Sequence, residues 1–204
     1  MCTVDNEVIF KTLEELKEMY AGTSNTPVLF PFYCDNKTKR VSEQELRICL
    51  IKNLLGDGYR GISIETPTKH VYRFKGGVKV DADCGDERSE SARMDLTLLN
   101  GASFDAIFEL KAHASTKQEA LYQDFVKLTQ EDAGQKFFVM IFEGLSESLK
   151  RNFKKRFNDC FEEGVRYLDG RKEDILQMCY FYDIKDASTA PETYTKNLKA
   201  YLRK

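Results

Sequence analysis

Residues 93 to 111, Arg93-Met94-Asp95-Leu96-Thr97-Leu98-Leu99-Asn100-Gly101-Ala102-Ser103-Phe104-Asp105-Ala106-Ile107-Phe108-Glu109-Leu110-Lys111, restrict this chain more than any other stretch. Two runs rich in Leu, Ile and Phe flank Asn100-Gly101, and both turn residues tolerate the positive φ of tight hairpin loops. The stretch therefore reads as a β-hairpin. Alternation along its second strand puts Asp105, Ile107, Glu109 and Lys111 on one face and Phe104, Ala106, Phe108 and Leu110 on the other.

Register decides which charges can meet. Directly opposed residues of an antiparallel pair lie on the same face, so Asp95 shares a face with Glu109 only if opposed residue numbers add to an even value. A two-residue Asn100-Gly101 loop would oppose Leu99 to Ala102 and send Asp95 to the wrong side. The expected connection is odd in length, for example residues 100–102, or it contains a bulge that restores the parity. Charges in so apolar a strand are costly without partners. One compensation is a divalent cation held by Asp95 and Glu109, with Lys111 orienting or deprotonating its bound water. The other is an edge strand whose Glu109 and Lys111 face water. Under the metal reading, alanine at either carboxylate relieves like-charge repulsion, so the metal-free protein should be as stable or more so.

The 204 residues fit one domain, and 42% hydrophobic with 31% charged residues describes an ordinary globular protein. Net charge is −2 and the pI near 5.9, so nucleic acid would be bound through a local basic patch and not by global attraction. The six cysteines contain no C-x-x-C pair, which argues against a zinc ribbon or a redox motif; Cys49 and Cys179 read as core thiols. The first residues are polar and acidic without an apolar signal-peptide core, and no run is long enough to span a bilayer. The expected location is cytoplasmic.

Elsewhere, Val8-Ile9-Phe10 reads as a short strand before a helix carrying Leu13, Leu16 and Met19, and Pro31 demotes Val28–Tyr33 to an edge strand or connection. A lid, a packing arm and a dimer contact are open for this segment. Ser42 to Leu55 is a helix with Ser42 as N-cap, Glu45 completing a capping box, and a Leu46, Leu50, Leu54 stripe. Tyr59 to Phe74 forms two strand pieces, or one bent strand, around Thr66-Pro67. The acidic run 81–91 lacks EF-hand spacing and reads as a surface loop. A helix from about Ser115 to Gln130 presents Leu121, Phe125 and Leu128, with Gln118, Tyr122 and Asp124 as polar candidates, and Phe137 to Phe142 suits a strand covered on both faces. Ser146 to Phe161 reads as an amphipathic helix with Lys150, Arg151, Lys154 and Lys155 beside its apolar stripe. Ile175 to Tyr182 reads as a strand, and Glu192 to Lys204 as a terminal helix.

An acidic residue in one strand, a short turn, then hydrophobic-Glu-hydrophobic-Lys resembles the PD-(D/E)XK nuclease superfamily. Asp95 matches its acidic position and Glu109 and Lys111 its (D/E)-x-K pair, while Met94 stands where the family has Pro. The resemblance covers residues 41–143. It implies an α/β protein with a restriction-endonuclease-like core, a central mixed β-sheet flanked by helices, and N- and C-terminal additions. The expected organisation is a single domain, 1–204: an arm at 1–40, the nuclease-like core at 41–143 and a helix-strand-helix extension at 144–204.

The implied activity is Mg²⁺-dependent hydrolysis of phosphodiester bonds, with DNA as substrate and Mn²⁺ as a substitute ion. By the resemblance Asp95 and Glu109 ligate the metal, the Leu110 carbonyl completes the site, and Lys111 positions water and stabilises phosphate charge. An early helix of the family carries a further glutamate, which Glu43 matches best and Glu45 second; the residues alone allow Glu43 to be a first-turn acid favoured by the helix dipole. His113, Lys150, Arg151, Lys154 and Lys155 are candidate nucleic-acid contacts. No membrane partner is implied, and a homodimer or an accessory protein is left open. The alternatives are a non-cleaving nucleic-acid-binding or scaffolding protein of the same fold, and an unrelated α/β interaction protein with surface charges at these positions.

Overall fold

A computed structural model describes residues 3–24, 30, 39–74, 79–80, 90–112, 118–144, 146–148, 151–152, 154–155, 158–159, 176–186, 188 and 190–197. Its elements run α1 (Asn6–Ala21), α2 (Glu43–Gly56), β1 (Ile62–Arg73), β2 (Lys79–Val80), β3 (Glu90–Asn100), β4 (Ser103–Ala112), α3 (Gln118–Gln130), β5 (Ala133–Phe142), β6 (Leu176–Asp183) and β7 (Glu192–Asn197). The strands form one mixed seven-stranded sheet in the order β2-β1-β3-β4-β5-β6-β7. β2, β1, β3 and β4 are antiparallel neighbours. β5 and β6 run parallel to β4, and β7 returns antiparallel to β6. Helices cover both faces, as expected of an α/β protein.

One core layer joins α1 and α2 to the sheet: Val8, Ile9, Leu13, Leu16, Leu46, Leu50 and Leu54 pack on Leu96, Leu98, Phe108, Leu110, Phe137 and Val139. The other joins α3, through Leu121, Phe125 and Leu128, to Ile107, Phe138, Met140 and Phe142. Burying each Leu or Phe contributes about 1.5–3 kcal/mol, which fixes how the helices dock. β5 is interior, as its apolar run requires. Among the described residues no helix is long and apolar enough to cross a membrane.

Three local expectations change. Val8-Ile9-Phe10 belongs to α1, because Asp5 caps the helix by accepting from the Glu7 N–H and the apolar residues continue at helical spacing to Met19. That helix lies in the core, so of the roles left open for the N-terminal segment residues 6–21 take the packing one. Ser42 is the N-cap of α2, but its hydroxyl donates to the Glu45 carboxylate instead of accepting from the backbone, so the side-chain cap that a capping box requires does not form. Residues 192–197 form β7 rather than a helix; they pair with β6 from Phe181↔Glu192 to Leu176↔Asn197. Thr193, Tyr194 and Thr195 suit a strand, and pairing satisfies an edge that β6 would otherwise expose. Residues 28–29, 31–33, 81–89, 113–117 and 198–204, on which other expectations fall, lie outside the described residues.

β1 is one bent strand, with its register to β3 shifted between Pro67 and Val71. The carboxylate of Glu131, fully buried, closes the bend: it accepts from the Lys69 N–H at 2.9 Å, the His70 N–H at 3.1 Å and the Tyr72 hydroxyl at 2.8 Å. Glu131→Ala strands these donors and is expected to cost about 3 kcal/mol. A denaturant melt showing less than about 1 kcal/mol would mean that the bend holds without the pin.

Candidate functional site

The β3–β4 hairpin decides which side chains converge. Its loop is Gly101-Ala102, two residues long and not of the odd length expected in the absence of a bulge, with Asn100↔Ser103 and Leu99↔Phe104 paired beside it. Gly101, at φ 61, takes the first loop position, where a primed turn needs positive φ. The register then shifts between Leu98 and Leu99, and beyond it Leu98↔Ala106, Thr97↔Ile107 and Leu96↔Phe108 are opposed. Asp105 is the extra residue. The bulge turns an odd register into an even one, which is the parity that Asp95 and Glu109 need. It also moves Phe104 onto the Ile107 face, so the simple alternation expected for that residue does not hold.

At Asp95 the two strands part. Their pairing ends at Leu96↔Phe108, and Met94 packs against the α3 layer while Leu96 and Leu98 pack against α1 and α2. In the fork, Asp95 Oδ2 accepts the Leu110 N–H at 2.7 Å and Oδ1 accepts from Arg47 at 3.0 Å. Arg47, nearly buried on α2, also meets Glu65 at 2.9 Å. Glu65 has φ 50, a strained conformation for a residue with a side chain.

Glu109 lies on the α3 side and is 1% exposed. Its Oε1 is 2.6 Å from Lys127 Nζ as an ion pair, and neither of its oxygens accepts a well-directed hydrogen bond among the described residues. Lys127 Nζ also stands 3.1 Å from Asp124 Oδ1 and donates to the Arg93 carbonyl at 2.9 Å. Lys111 Nζ is 3.0 Å from Asp124 Oδ2 and 3.9 Å from Glu43. α2 and α3 thus bring Glu43, Arg47, Asp124 and Lys127 to the fork between the middle of β3 and the end of β4.

Burial, reinforced by the Asp124 charge and only partly offset by Lys127, pushes Glu109 well above the usual carboxylate range. Glu43 is raised by burial as well, against the pull of Lys111. For Lys111, burial alone would favour the neutral amine, but Asp124, Asp95, Glu43 and Glu109 together outweigh it and raise its proton affinity. Lys111 therefore carries a firmly held ammonium. It can bind and neutralise an anion, and it is a poor base for deprotonating water.

Of the sequence-predicted residues, Glu43 and Lys111 are linked to Glu109 through Asp124, one of the weaker candidates, and Lys127. Asp95 acts on them by charge and makes its own contacts to Arg47 and the Leu110 N–H. Leu110 sits between Glu109 and Lys111 with its side chain in the opposite core layer. Tyr122 packs at the margin of the α3 layer. The Gln118 side chain, His113 and Lys150 lie outside the described residues. On the expected basic helix, Arg151 and Lys155 are exposed, whereas Lys154 is paired with Glu192 at 2.5 Å, which weakens that face as a phosphate site. Sequence reasoning missed Arg47, Glu65 and Lys127. Helical spacing held a signal for two of them: Arg47 is four residues after Glu43, and Lys127 three after Asp124.

Hard oxygen donors, an unpartnered buried carboxylate oxygen, and carboxylates of Glu43, Glu65, Asp95, Glu109 and Asp124 that outnumber Arg47, Lys111 and Lys127 all fit a divalent cation. Among the described residues no three His, Cys, Asp or Glu side chains converge closely enough to hold a metal by themselves. Magnesium, which keeps much of its water and takes one or two carboxylates, asks less of the protein. Compared with protein-family models, with curated proteins and with solved structures, the chain matches none.

Proposed function

We propose that the chain is a metal-dependent nuclease of the PD-(D/E)XK type, with a restriction-endonuclease-like core, acting on DNA. The observation that carries this reading is the buried Glu109 carboxylate, near enough to Asp95 and Lys111 where β3 and β4 separate to feel both charges. The order helix, antiparallel β1-β3-β4, helix, parallel β5 supports it, since that arrangement aims both carboxylates and the lysine from adjacent strands.

Asp95 and Glu109 would hold Mg²⁺ or Mn²⁺, with the Leu110 carbonyl as a further donor and Glu43 reaching its waters. The ion, when bound, supplies an acidified water and neutralises charge on the scissile phosphate. Lys111 binds the phosphate oxygens and offsets the charge that grows on them in the transition state. Arg47 and the Leu110 N–H fix the Asp95 carboxylate, so its orientation is set before substrate arrives.

A second reading rests on Lys127. Its ammonium already supplies a cation to Glu109 and Asp124, as a non-cleaving nucleic-acid-binding protein of the same fold would need. Incubating the chain with supercoiled plasmid, single-stranded DNA and RNA, in Mg²⁺ or Mn²⁺ and in EDTA, separates the two. Cleavage that requires the metal and is lost in Glu109→Gln supports the nuclease; no hydrolysis of any substrate, with binding retained, leaves the second reading.

Arg151 and Lys155 are the exposed basic residues whose role in holding phosphate can be tested apart from chemistry. Changing both to Gln should weaken DNA binding across sequences and reduce the salt slope by roughly 0.9 for each phosphate no longer neutralised. An unchanged slope assigns them to a solvated helix face.

A further inference from the structure

We propose that Lys127 holds the cation position of the metal-free site, so that a divalent ion enters only by displacing its ammonium from Glu109. This rests on the reading of Asp95 and Glu109 as metal ligands. Lys127 is 8% exposed, near the end of α3; its ammonium donates to the Arg93 carbonyl at 2.9 Å and lies 2.6 Å from Glu109 Oε1 and 3.1 Å from Asp124 Oδ1. Oxygen atoms of this kind, two carboxylates and a main-chain carbonyl, are what a hard cation also takes. Neither Glu109 oxygen accepts a well-directed hydrogen bond among the described residues, so the ammonium offsets the charge of a carboxylate withdrawn from water without saturating its oxygens.

A metal ion on Glu109 and the ammonium 2.6 Å from the same carboxylate repel each other, and burial leaves little water to screen them. Lys111 differs, because its ion pairs are to Asp124 and, more loosely, Glu43; it can stay in place when an ion arrives. The flexible lysine stem lets the ammonium leave Glu109 while keeping Asp124 and the Arg93 carbonyl. Lys127 is in this sense a positioning residue: it keeps Glu109 in place before metal binds, and it sets how much metal the site demands.

The test is Mn²⁺ binding followed by electron paramagnetic resonance, without nucleic acid, on wild type, Lys127→Met and Lys127→Arg. Lys127→Met, of similar length and without charge, should bind Mn²⁺ at least about tenfold more tightly, since no buried ion pair has to break on binding. Its metal-free melting temperature should fall and should recover more than that of wild type on adding Mn²⁺. Lys127→Arg keeps the charge and should not tighten binding. Equal or weaker affinity in Lys127→Met, or no binding by either protein, overturns the inference.

If Lys127→Met does not fold, the wild type decides. With ¹³C-labelled lysine, the Lys127 side-chain resonance, assigned by its loss in Lys127→Arg, should move on saturation with Mg²⁺; a resonance that stays still overturns the inference. Cleavage is scored separately. Tighter binding in a protein that hydrolyses no nucleic acid keeps the exchange and removes the nuclease reading, whereas cleavage with unchanged affinity in Lys127→Met does the reverse.

Discussion

Glu109→Gln is expected to abolish Mg²⁺-dependent cleavage while leaving the metal-free protein as stable as wild type or more so. The carboxylate is 1% exposed, and burial together with Asp124 raises its proton affinity well above the usual range. A group raised in the folded state gives stability that is present below its ordinary pKa and lost as pH rises through the folded value. The amide copies the neutral form, so it escapes the loss that sets in as pH rises through the raised folded value, and Lys127 keeps Asp124 and the Arg93 carbonyl as partners. The checks are a melting temperature from pH 5 to 9 and plasmid cleavage. A variant that unfolds would make Glu109 a structural residue.

Asp95→Ala should also abolish cleavage, but the like-charge argument from sequence does not carry over to its stability. Asp95 accepts from the Leu110 N–H and from Arg47, so its removal strands a main-chain donor and half of an arginine pairing. The expected cost is about 2 kcal/mol without metal.

The next largest effect is expected for Lys111→Ala. The variant keeps Asp95 and Glu109, so metal should still bind, while cleavage falls by roughly 10² or more, the scale of removing one electrostatic interaction with the transition state. Because the surrounding carboxylates keep the ammonium charged, Lys111 would act by charge and position in the proposed reaction. Metal titration by calorimetry and single-turnover cleavage separate the steps. Loss of metal binding together with cleavage would place Lys111 in the structure of the site, and unchanged cleavage would remove it from the chemistry.

Much of this arrangement was legible because short-range rules govern it. Asn100-Gly101 announced the hairpin, the Leu46, Leu50, Leu54 stripe announced α2, and the apolar run of β5 announced an interior strand. Parity showed that Asp95 and Glu109 needed an odd loop or a bulge, and the bulge at Asp105 supplied it. What sequence could not supply came from tertiary packing. Residues 192–197 are a strand because β6 presents an edge, and the α1 residues Val8 to Phe10 are helical because Asp5 caps and the core receives them. Lys127 and Arg47 looked like ordinary helix charges; only docking of α3 and α2 against the sheet puts them on Glu109 and Asp95.

The most direct measurement is anomalous diffraction from a crystal of the wild-type chain soaked in Mn²⁺. An anomalous peak within coordination distance of both Asp95 and Glu109, absent from Glu109→Gln crystals soaked in the same way, is the expected result. A wild-type crystal with no peak between these carboxylates at saturating Mn²⁺ would contradict the metal site and, with it, the nuclease chemistry proposed for this fold.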